Sequence, residues 1–65
     1  MSEDLEALAD GVAELARRLD DAIFDAVRAQ LRDDDAAAAG ELERRLARAR
    51  RSLAKAEGLL RGRAD

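Results

Sequence analysis

The chain has 65 residues, in which Lys and Arg supply 12 positions and Asp and Glu 15, for a net charge of −3 at neutral pH; Cys, His, Pro, Trp and Tyr are absent. These absences exclude a disulfide framework, thiol chemistry and any zinc or iron–sulfur site built on Cys or His, and leave catalysis only carboxylates, arginines and one lysine. A lone core below about 70 residues seldom supplies more than roughly 3–5 kcal/mol, so self-association is the expected source of further stability.

The N-terminus, Met1-Ser2-Glu3-Asp4, is acidic, and no apolar run approaches the ~18 residues that span a bilayer, which predicts a cytoplasmic protein without a membrane partner. With no Pro, few Gly and an excess of Ala, Leu, Arg and Glu, nearly every position suits a helix. Leu5, Leu8, Val12, Leu15 and Leu19 recur at intervals of three and four, the rhythm of a narrow helix seam. Leu19, Ile23, Val27 and Leu31 continue at intervals of four, and Phe24 widens the stripe. This pattern predicts helix one over residues 3–32. Outward on it stand Glu6, Asp10, Glu14, Asp20 and Asp21, relieved by Arg17 and Arg18; Gly11 is an interior helix glycine.

Asp33, Asp34 and Asp35 follow. Asp is a strong N-cap and suits the first turn of a helix electrostatically, so the triplet reads as a turn over 33–36 that starts helix two over 36–61. The triplet lacks the following Gly and distal Glu of a calcium loop, and no metal or cofactor site is expected. In helix two, Leu42, Leu46, Ala49, Leu53, Ala56 and Leu60 alternate large and small, with Ala39 as an earlier member, a pattern that lets a neighbouring helix interdigitate. Gly58 interrupts its last turns, and Gly62 beyond Arg61 suits its C-terminus.

Continued through the middle as one rod, the two seams would point about 130° apart, whereas a hairpin brings them face to face. The fold class predicted is therefore all-α, an antiparallel helical hairpin in a single domain over 1–65, completed as a four-helix bundle by dimerisation. Residues 1–35 carry a balance of −7 and residues 36–65 one of +4, which favours pairing an acidic helix with a basic one. The packing seam is assigned to Leu8, Val12, Leu15, Leu19, Ile23, Phe24 and Val27 with Leu42, Leu46, Ala49, Leu53, Ala56 and Leu60.

Arg44, Arg48, Arg51 and Lys55 recur at 4-3-4 along an outward stripe of helix two, flanked by Arg45 and Arg50. Such a stripe suits a solvated face, an acidic protein partner or, through counterion release, a nucleic-acid backbone. In length, central aspartate turn and Ala/Leu layers, the chain resembles the Rop family. That resemblance implies a helical hairpin that dimerises into a four-helix bundle; the basic and aromatic RNA contacts of that family's first helix have no counterpart in this acidic helix one. The function expected is non-enzymatic: a helical interaction or assembly protein that self-associates, foremost as a dimer. The alternatives are a small subunit or adaptor of a heteromeric complex with a larger protein, or a nucleic-acid-binding hairpin using the basic stripe.

Overall fold

The computed structural model describes residues 4–32 and 35–63 and shows two helices, α1 (Leu5–Leu31) and α2 (Ala36–Leu60), packed as an antiparallel hairpin. Asp4 caps α1: its backbone is extended, and its carboxylate accepts a hydrogen bond from the Glu6 N–H at 3.1 Å. Asp35 occupies the N-cap position of α2, as the aspartate triplet predicts, yet with φ 55° and ψ 60° it is left-handed and its carboxylate makes no capping bond. Asp33 and Asp34 lie outside the described residues. At the far end of α2, Gly62 takes φ 80°, Arg63 N–H bonds Gly58 C=O at 2.9 Å and Gly62 N–H bonds Leu59 C=O at 3.1 Å. This is a Schellman stop, which the flexible backbone of Gly62 allows without steric cost.

The faces that meet place small residues at their most buried points and larger ones half-buried between them. The buried apolar side chains are Ala9, Ala16, Ala26 and Ala39, with Gly40 beside them, and no large side chain among the described residues is fully buried. On α1 the seam runs Ala9, Val12, Ala16, Leu19, Ile23, Ala26 and Gln30; on α2 it runs Ala39, Glu43, Leu46, Arg50, Leu53, Glu57 and Leu60. Each alternates steps of three and four, the repeat of two helices supercoiling left-handedly. Small side chains bring helix axes toward the short end of the usual interaxial range, roughly 8–10 Å.

The hairpin measures 50 × 20 × 12 Å, a single helix layer. A helix pair ordinarily buries its apolar surface against a second layer. Gly58 has nothing within 4 Å of where a Cβ would sit. Gly58→Ala should therefore raise stability by about 0.5–1 kcal/mol, the helix-interior cost of glycine. Ala16→Leu should lower it by about 1–3 kcal/mol, because a buried seam alanine leaves no room for three more carbons. Urea unfolding followed by circular dichroism measures both.

Candidate interaction surface

One side of the seam is closed by charge. Arg61 is the hub: Nη1 donates to Glu6 Oε1 at 2.6 Å, Nη2 to Asp10 Oδ1 at 3.0 Å and Nε to Glu57 Oε2 at 2.8 Å, and its side chain is only 16% exposed. The bond to Glu57 and then that to Asp10 raise the Arg61 pKa above its ordinary value, so the cation stays charged at any accessible pH. Midway along, Arg50 Nε donates to Asp20 Oδ1 at 2.9 Å. Near the turn, Gln30 Nε2 donates to Glu43 Oε1 at 2.8 Å. These contacts place residue 30 level with 43, 20 with 50 and 10 with 61, and so fix the register of the two helices.

Glu6, Asp20 and Arg61 all lie on one flank of the seam, so the rows on its other flank form the opposite side. On α1 that row is Leu8, Leu15, Ala22 and Ala29; on α2 it is Leu42, Ala49 and Ala56, each at seven-residue spacing. Leu8 is 41% exposed, Leu15 44% and Leu42 44%. No charged residue stands in either row over these positions. The result is a continuous apolar strip along the length of the hairpin, exposed at Leu8, Leu15, Leu42 and Ala49 and half-buried at Ala22, Ala29 and Ala56, edged by Gly11, Arg18 and Asp25 on α1 and by Arg45, Ser52 and Leu59 on α2.

The outward faces carry the remaining charge. On α2, Arg44, Arg48, Arg51 and Lys55 are exposed as the sequence pattern indicates. Arg44 pairs with Glu41 at 3.1 Å, while Arg45, Arg48, Arg51 and Lys55 have no ion-pair partner among the described residues. Arg50, expected on the flank of that stripe, turns instead toward α1 to meet Asp20. On α1, Arg17 pairs with Glu14, whose hydrogen bond raises the Arg17 pKa. Phe24 is exposed on the ion-paired side, its ring 5.5 Å beneath the Arg28 guanidinium. No metal-binding group of three acidic ligands and no cavity occurs among the described residues, and no described helix is long and apolar enough to cross a membrane.

The residues read from sequence as one seam therefore divide. Val12, Leu19, Ile23, Val27, Leu46, Leu53, Ala56 and Leu60 are half-buried along the hairpin contact, whereas Leu8, Leu15, Leu42 and Ala49 lie exposed on the bare side and Phe24 on the other. Sequence reading passed over Ala9, Ala16 and Ala26, and with them the polar seam members Gln30, Glu43, Arg50 and Glu57. A signal was present: Ala9 and Ala16 are spaced by seven beside Leu8 and Leu15, as are Glu43, Arg50 and Glu57 among the leucines of α2.

Comparison with known proteins finds no matching family model, no matching curated protein and no matching solved structure. The likeness to the Rop family is thus one of layout. The charge hub gives a direct expectation: Arg61→Gln should lower the thermal midpoint more than Arg48→Gln, since Arg61 bonds across to α1 and Arg48 does not. Melting curves at low salt and near 1 M salt test this, the gap narrowing as the shorter Debye length screens the exposed carboxylate partners.

Proposed function

We propose that the chain is a non-enzymatic helical assembly protein that self-associates through its leucine-bearing face, two hairpins forming a four-helix bundle. The observation that carries this reading is a one-layer hairpin whose contact buries alanines while Leu8, Leu15 and Leu42 stand outside it. A buried alanine methyl contributes about 0.8 kcal/mol, against about 1.5–3 kcal/mol for a fully buried leucine. Leu8, Leu15 and Leu42, still 41–44% exposed, therefore hold hydrophobic stabilisation that the hairpin alone does not use.

Area supports the same reading. The accessible surface is 4898 Å², whereas a compact monomer of 7.1 kDa exposes about 4,100 Å². The excess over the compact value reflects an elongated single layer, the shape that a second layer would cover.

A second reading rests on Arg45, Arg48, Arg51 and Lys55, cations that the hairpin leaves unpaired, and makes the outer face of α2 a site for an acidic partner or a nucleic-acid backbone. It predicts binding to duplex nucleic acid at low salt that falls steeply as salt rises, measured by fluorescence anisotropy; no binding at low salt removes the nucleic-acid form of this reading.

For the assembly reading, sedimentation should give the mass of two chains, and the thermal midpoint should rise with protein concentration. Leu15→Glu combined with Leu42→Glu should give single-chain mass and reduced helicity. Leu46→Asp or Leu19→Asp should dissociate and unfold the protein together, because both positions also serve the hairpin contact. A wild-type chain of single-chain mass with a concentration-independent midpoint overturns self-association, and an isolated chain that is poorly helical or aggregates assigns the bare face to a different protein.

A further inference from the structure

We infer the arrangement of the two copies: each α1 lies on the partner's α2, about a two-fold axis parallel to the helices. This inference rests on self-association through the leucine-bearing face. Two symmetric arrangements bring that face onto its copy. An axis across the helices stacks α1 on the partner's α1 and α2 on the partner's α2. An axis along them exchanges the helices, so that every helix neighbours only the opposite kind.

Charge separates the two. Over Leu5–Leu31 the balance of α1 is −3, and over Ala36–Leu60 that of α2 is +3. Stacking like on like sets −3 against −3 and +3 against +3, while the exchanged arrangement sets acid against base at every contact.

Side-chain complementarity along the strip agrees. A rotation about an axis parallel to the helices keeps each residue at its own height, and heights are fixed by the pairs 30 with 43, 20 with 50 and 10 with 61. In the exchanged arrangement Leu42 then meets the other copy's Ala29, Leu15 its Ala56 and Ala22 its Ala49, so two of the strip's three leucines fall on alanines, while Leu8 comes level with Arg63 beyond the end of α2. At the edges, Asp25 comes level with Arg45 of the other copy, two exposed charges that have no ion-pair partner among the described residues. Leu59, 60% exposed, comes level with Gly11, where the backbone carries no side chain and a Cβ would have nothing within 4 Å. The bare leucine near the C-terminus and the bare glycine near the N-terminus thereby account for each other.

Paired charge reversal tests the arrangement. Asp25→Arg and Arg45→Glu, made singly, should each weaken dimerisation roughly tenfold, since two exposed attractive pairs become repulsive in each homodimer. Mixing the two variants should restore wild-type affinity, because the heterodimer contains one native and one reversed pair, both attractive. In addition, Gly11→Cys with Leu59→Cys, oxidised with oxidised glutathione, should yield chains covalently joined in pairs on a non-reducing gel. Circular dichroism of each variant confirms that the helices persist. Should the wild type form a dimer while the mixture shows no rescue and Arg18→Cys instead cross-links readily to itself, α1 lies on α1 and the inference fails although self-association stands. A monomeric wild type would remove the self-association reading itself.

Discussion

Small side chains along the hairpin seam set the terms for everything else in this molecule. Ala9, Ala16, Ala26 and Ala39 let α1 and α2 approach closely, and close approach gives many weak dispersion contacts. It also means that little apolar area disappears from water. The larger apolar side chains of the seam are only half-buried, Leu8, Leu15 and Leu42 lie outside it, and a hairpin of one layer has no second layer to receive them. Economy within the chain and an unsatisfied face outside it are consequences of one choice of residues.

Charge then does what such a thin apolar seam cannot. Exposed ion pairs are each worth about 0–1 kcal/mol, too little to hold two helices together. They are enough to choose among registers that the alanines and leucines would accept almost equally. Sliding α2 by one heptad in one direction brings Glu57 opposite Asp20, and sliding it in the other brings Glu43 there. Only the observed register gives Asp20 the guanidinium of Arg50, at 2.9 Å, and places Arg61 between Glu6 and Asp10. The alternation Glu43, Arg50, Glu57 along the seam is therefore a device for register, and it explains why charged residues interrupt a stripe that would otherwise be apolar.

The hairpin itself is legible in the sequence, because the leucine and alanine periodicity on either side of the aspartates cannot face one straight partner, and because Gly62 is an ordinary helix stop; the start of α1 at Asp4, inside the predicted span 3–32, is not. The identity of the contacting face was less readable. Leu8 stands next to Ala9 and Leu15 next to Ala16, so two interleaved seven-residue rows differ by one position, and hydrophobicity alone selects the leucine row. Proximity inside the chain selects the alanine row, since two helices joined by a short turn gain from close packing, and the leucines rotate to the flank. The polar members were hidden for a related reason: Glu43, Arg50 and Glu57 look like solvated residues until the helix opposite is known to present Gln30 and Asp20.

The division of charge between the helices has a further effect on what a partner would meet. In the exchanged bundle, the two acidic helices occupy one diagonal and the two basic helices the other. Arg44, Arg48, Arg51 and Lys55 lie on the outer face of α2, away from both the hairpin contact and the leucine-bearing face, so the proposed assembly would leave them open. It would also place the two basic stripes on opposite corners of the proposed bundle, each next to an acidic helix. An anionic polymer lying along one stripe would gain about four cationic contacts and could not reach the second without crossing an acidic surface. The stripe would thus act as a narrow track for a single extended acidic segment. The same separation that would direct α1 onto α2 between copies would limit the breadth of any anion-binding surface such an assembly could offer.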